Sequence, residues 1–139
     1  MSSPDDDARH AWQILVALVT ESRGDWRRRI SDATGMPFSR YRALKRLRDE
    51  PRTLRELADE MGTDAPATTV LVDDLEARGL VRRQPHPADR RAKLVSLTAA
   101  GRRQLAVAKR IVDQPPAALL ALPAKELALL RRALEKLGS

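Results

Sequence analysis

The chain has 139 residues, enough for one domain with a core and too few for two well-buried ones. It contains no cysteine, which excludes a disulfide framework, a thiolate nucleophile, a zinc ribbon and thiol-based redox sensing. Its net charge is +7, no apolar run approaches the ~18 residues of a membrane span, and the acidic start MSSPDDDARHAW is unlike a signal peptide, so a cytoplasmic location and no membrane partner are expected.

Residues 1–7 lack apolar anchors and are expected to fray. From about Ala8 to Ala33, Trp12, Leu15, Val19, Trp26, Ile30 and Ala33 recur at helical spacing and predict one long amphipathic helix, with Gly24 as a weak or bent point. Gly35, Met36 and Pro37 break it. Ser39 is then placed to cap a helix that carries Tyr41, Leu44 and Leu47 on one face and stops at Pro51. Thr53-Leu54-Arg55-Glu56 reads as a capping box, in which the Thr and Glu side chains each satisfy a free backbone N–H. It opens a short helix with Leu57, Ala58 and Met61 inward and Gly62 at its end.

The next helix has Pro66 in its first turn, where a missing N–H costs little. Thr68, Leu71, Val72 and Leu75 form its inner stripe, leaving Ala65, Ala67, Thr69, Val70 and Asp73 outward, and Gly79 is its left-handed stop. A short helix, a Gly-containing turn and a second helix with an exposed N-terminal half make a helix-turn-helix. Leu80–Gln84 and Lys93–Leu97 predict paired strands around the loop Pro85 to Arg91. Between Arg78 and Lys93, six basic residues (Arg78, Arg82, Arg83, Arg90, Arg91, Lys93) face one acid, Asp89. That hairpin is an electrostatic footprint for phosphate.

Thr98 can cap a long helix to about Asp113, where Gln114-Pro115-Pro116 breaks it. A last helix starts near Pro123, with Leu127, Leu130, Leu134 and Leu137 three, four and three apart. This seam is either ordinary core contact with the first helix or, together with Trp12, Leu15 and Val19, a dimer interface built from the two chain ends. The fold class is mainly α with a small β-hairpin, a winged helix-turn-helix flanked by terminal helices.

His10 and His86 lie far apart with no ligand cluster nearby, so neither a metal nor a cofactor is expected, and the bland reading leaves both exposed. No nucleophile-base pair or Gly-rich phosphate loop suggests an enzyme. Trp12, Trp26, Phe38 and Tyr41 are too few, and too early in the chain, for base-stacking platforms. From Thr53 to Glu76, Arg55 stands alone against Glu56, Asp59, Glu60, Asp64, Asp73, Asp74 and Glu76. Such a surface repels DNA unless its acids point inward or away. Ala67, Thr68, Thr69 and Val70 remain for thymine methyl groups and single hydrogen bonds, and Arg40, Arg42 and Arg55 for phosphates.

TLRELADEMG, LVDDLEARGLVRR and DRRAKLVSLTAAG, in that order and spacing, resemble the MarR family of bacterial transcription regulators from about Met36 to Leu105. The two ends match in pattern only. The resemblance implies one domain: a homodimer with a base of terminal helices (about 8–34 and 101–137) and winged lobes (about 36–100) gripping a near-palindromic double-stranded operator. It implies that Asp89 orients Arg91 into the minor groove, with Arg90 and Lys93 near phosphates and Arg83 also contacting DNA. The same two residues can instead form a turn-stabilising ion pair. The family also implies a small aromatic or apolar acid ligand, for which Trp12, Trp26, Phe38 and Tyr41 are candidate lining residues or plain core. The chain departs from the family pattern at Pro66 and Val70, where Ser and Arg are common. The leading expectation is a repressor released by a ligand; the alternative is a winged-helix protein-interaction module with weak or no DNA binding, kept open by the acidic recognition helix.

Overall fold

A computed structural model, describing residues 1–138, runs in the order α1 (Pro4–Thr34), α2 (Phe38–Arg46), β1 (Arg52–Thr53), α3 (Leu54–Met61), α4 (Ala65–Ala77), β2 (Val81–Pro85), β3 (Lys93–Leu97), α5 (Ala99–Val112), α6 (Ala117–Leu120) and α7 (Ala124–Glu135). The acidic start is helical from Pro4, not frayed. Ser3 Oγ accepts from the Asp6 amide at 3.1 Å, Pro4 sits where a missing N–H is harmless, and Asp5, Asp6 and Asp7 oppose the positive end of the helix dipole. The signal, Ser-Pro-Asp-Asp, is polar and lies outside the apolar periodicity. Helix α1 continues through Gly24 without a break.

Pro37, with φ −60°, holds the N-cap position of α2 without a side-chain cap, so Ser39 lies inside the helix, not at its start. That helix ends at Arg46, ahead of Pro51. The Thr53–Glu56 capping box is present, and Gly62 closes α3 in the left-handed region at φ 65°. Asp64 caps α4 by accepting from the Ala67 amide at 2.7 Å. Thr68, Leu71, Val72 and Leu75 are its buried face.

The sheet is antiparallel in the order β1-β3-β2, with Val81 opposite Leu97 and Pro85 opposite Lys93. The sequence pattern predicts only the hairpin. The third strand, β1, pairs Arg52 with Val95 and Thr53 with Leu94, too short a run to show alternation.

Two compact units are defined by their contacts: residues 24–112, and residues 1–23 with 113–138. Residues 24–35 and 101–112 therefore group with the winged lobe, whereas the family resemblance implies lobe boundaries near 36 and 100. The 24–112 unit contains the core, centred on Ile30, Met36, Leu44, Leu57, Val72 and Val95. In the other unit no described residue is buried. No helix among the described residues is long and apolar enough to cross a membrane.

The wing is closed at its root by α5. Thr98 Oγ donates to the Gly79 carbonyl at 2.6 Å and accepts from the Gly101 amide at 3.0 Å, so one hydroxyl both ends the hairpin and caps the next helix. Gly101 is buried there, and a Cβ on it would fall 2.0 Å from the Leu80 carbonyl oxygen.

Candidate nucleic-acid interface

Helix α4 exposes Ala65, Pro66, Ala67, Thr69, Val70 and Asp73. Thr68, expected among the DNA contacts, is only 1% exposed. Its hydroxyl donates to the Asp64 carbonyl and shares a 2.8 Å contact with Thr63 Oγ1, so it braces the turn before α4 and does not reach a base. Thr69 stays at the surface with its hydroxyl donating to the Ala65 carbonyl at 3.0 Å.

The acids of the helix-turn-helix are largely neutralised from outside it. Asp73 and Glu76 both engage the guanidinium of Arg83 on β2, and Glu76 also accepts from the Arg83 amide at 3.0 Å. Asp74 accepts from Arg40 Nε at 2.9 Å and from Arg78 Nε at 3.1 Å. Arg78 continues to the Gly35 carbonyl at 3.1 Å, tying α4 to the turn between α1 and α2. Glu60 pairs with Arg52, and Glu56 completes the capping box.

Two of the expected DNA contacts take part in these pairs. Arg83 and Arg40, with side chains 24% and 22% exposed, direct their charge at α4, because each has a carboxylate of that helix within reach. Arg42 and Arg55 are exposed and carry no ion pair among the described residues.

At the wing tip, Asp89 does not hold the Arg91 guanidinium. Its Oδ1 accepts from the Arg91 backbone amide at 3.0 Å, while its carbonyl accepts from Ala92 N at 3.1 Å. The carboxylate fixes the turn, and the turn sets where the Arg91 side chain leaves the backbone. His86, expected to be exposed, is half-buried and helps build the same tip: its amide donates to the Ala92 carbonyl, and its Nδ1 accepts from Ala88 N at 3.0 Å. Arg82, Arg90, Arg91 and Lys93 are exposed without an ion pair among the described residues.

Hydrogen bonding from Arg40, with Arg78 second among the charged partners, lowers the Asp74 carboxyl below its ordinary pKa. A depressed folded-state pKa means that this stabilisation is complete above the unfolded aspartate value, about 3.9, and is lost as pH falls through the lower folded value. Asp74→Asn is expected to lose roughly 1 kcal/mol at neutral pH. Melting curves from pH 7 down to pH 2.5 should show the gap to wild type closing only below about pH 4; a gap of constant size would exclude the charge on Asp74 as its source.

Three of the four aromatic candidates belong to the 24–112 unit. Tyr41 is buried in the core, Phe38 packs 5.5 Å from it with tilted rings, and Trp26 borders the same cluster. Trp12 belongs to the other unit and is 66% exposed. Arg27 stands 5.8 Å from the centre of the Phe38 ring. Within the terminal unit, Trp12 and Val16 line one shallow surface groove, and Leu127, Leu130 and Leu134 line another. Leu15 is half-buried, and Val19 and Leu137 are exposed. Among the described residues, no group of three or more His, Asp and Glu side chains could hold a metal ion.

Residues 34–92 match the model of the MarR family. The transcriptional regulator HosA of Escherichia coli O111:H- is 33% identical over 104 residues, which make up 74% of this chain and 75% of HosA. A cysteine-to-serine mutant of MarR from E. coli superposes with a TM-score of 0.79 at 25% identity, covering 91% of this chain and 95% of that one. The mutant complexed with operator DNA has the same fold, with a TM-score of 0.66 at 24% identity over 98% of this chain and 99% of its own.

Proposed function

This chain belongs to the MarR family of transcription regulators, and we propose that it works as a homodimer that represses transcription from a near-palindromic double-stranded operator until a small apolar acid releases it. The observation that carries the DNA-binding role is the wing tip: Arg90 and Arg91 are adjacent, exposed and free of ion pairs among the described residues, on a turn fixed by the Asp89 carboxylate. An arginine presented this way suits a narrow, electronegative minor groove. The acids that favoured a protein-binding alternative are mostly committed to internal pairs, which supports DNA as the partner.

The homodimer is supported by the terminal unit. No described residue in it is buried, yet Trp12, Leu120, Leu129 and Leu137 are each more than half exposed. Surface of that kind needs a partner. We assign the terminal helices to the dimer base and the winged lobe to DNA. Release by an acid draws on the family and on Arg27, which offers a cation beside the Phe38 ring. A ligand acts here only through its different affinity for the two forms of the dimer.

Gel-shift titration against fragments of the gene's own upstream region tests the role. Arg91→Ala should weaken operator binding by roughly 1 to 3 kcal/mol, and Asp89→Ala by less, because it loosens the turn and leaves the guanidinium in place. Arg90→Ala, at a phosphate, should weaken all sequences alike and flatten the log-affinity against log-salt slope by about one unit per site. Wild-type affinity in Arg91→Ala would remove the wing from the interface.

A further inference from the structure

We infer that α4 reads its operator through thymine C5-methyl groups, recognised by the apolar patch of Pro66, Ala67, Val70 and the Thr69 methyl. This rests on the DNA-binding reading above and specifies what the recognition helix does within it.

The inference follows from what the exposed half of α4 lacks. It carries no Arg, Lys, Asn or Gln, so the bidentate contacts that distinguish guanine or adenine are unavailable. Its polar groups are already engaged. Asp64 caps the helix, Thr68 is buried, Asp73 is bound to Arg83, and the Thr69 hydroxyl proton is directed at the Ala65 carbonyl. Thr69 Oγ1 keeps a lone pair that accepts from an amino group such as adenine N6. What remains outward is apolar, and Val70 is 63% exposed in the middle of the patch.

An exposed valine at that place gains by covering apolar surface, and the thymine methyl is the apolar group that unmodified bases present in the major groove. With an acceptor beside a methyl-binding surface, α4 favours A·T pairs. The wing's Arg91, by contrast, responds to groove width, so the two elements read different properties of the same site.

The test uses the full chain and duplexes that it selects from a random-sequence library, each resynthesised with deoxyuridine in place of thymidine. Affinity is measured by fluorescence anisotropy at fixed salt for wild type and Val70→Ala. Burial of one methyl corresponds to about a fourfold change in affinity. Wild type should lose about that factor for each contacted thymine. Val70→Ala should bind the thymine duplex more weakly than wild type and show a smaller thymine-to-uracil ratio. The variant should still fold, since Val70 is exposed and Ala favours helix over Val; circular dichroism checks this. Equal wild-type affinity for both duplexes would overturn the inference while leaving DNA binding intact. So would an unchanged ratio in Val70→Ala, which would place the uracil effect in DNA shape. Recovery of no duplex above background would overturn the DNA-binding reading itself, and this inference with it.

Discussion

Gly101→Ala is expected to destabilise the winged lobe by about 3 kcal/mol or more, lowering its melting temperature by roughly 15 °C. The direction is diagnostic, because Gly→Ala inside a helix ordinarily stabilises by up to about 1 kcal/mol. Here the added carbon would sit 2.0 Å from the Leu80 carbonyl oxygen and 3.0 Å from its carbon, so backbone must move. Moving it pulls on the Thr98 hydroxyl, which joins the Gly79 carbonyl to the Gly101 amide. Gly24→Ala is the internal control: that position also lies in a helix but has nothing within 4 Å, and the variant should melt at or slightly above wild type. If Gly101→Ala also melts no lower than wild type, the close approach of α5 to the wing root is not a structural requirement.

Leu130→Asp combined with Leu134→Asp should convert the proposed dimer to monomer at micromolar concentration and abolish cooperative binding to a two-half-site operator. Obligate interfaces bury on the order of 2,000 Å² or more of largely apolar surface, and two carboxylates placed in such a seam lose their hydration when it closes. Leu130 is half-buried and Leu134 is 39% exposed, and neither belongs to the 24–112 core. The lobe should therefore still fold, which its near-ultraviolet spectrum will report. Light scattering gives the mass. A dimer of unchanged affinity would exclude α7 from the interface.

The features legible from sequence are those set by short-range chemistry. Thr53 and Glu56 lie three residues apart, Gly62 and Gly79 mark left-handed stops, and the apolar positions of α4 repeat with the helix. The inner stripe of α4 already places Thr68 inward, so the same pattern that locates the helix removes that residue from the DNA contacts. Pairings between elements leave no such trace. Arg40 and Asp74 are 34 residues apart, and Arg83 and Asp73 are ten apart across a helix end and a strand start, so a charge count along the chain treats as free what the fold neutralises. Strand β1 is two residues that become a strand only because β3 offers an edge. Asp89 accepts from the Arg91 amide where the resemblance implies the guanidinium, because at a tight tip a carboxylate reaches an amide two residues on.

The attachment of Arg83 to Asp73 and Glu76 bears on how the specificity of this regulator can be re-engineered. A transplanted or randomised recognition helix that lacked these two carboxylates would strand a partly buried guanidinium whose Nε already has no acceptor. Such chimeras would fail through a loosened wing before their new base contacts were ever sampled. The exchangeable cassette is therefore the stretch from Asp64 to Arg83, helix and first wing strand together, and libraries confined to Pro66, Ala67, Thr69 and Val70 are the ones that should return folded proteins with altered operators.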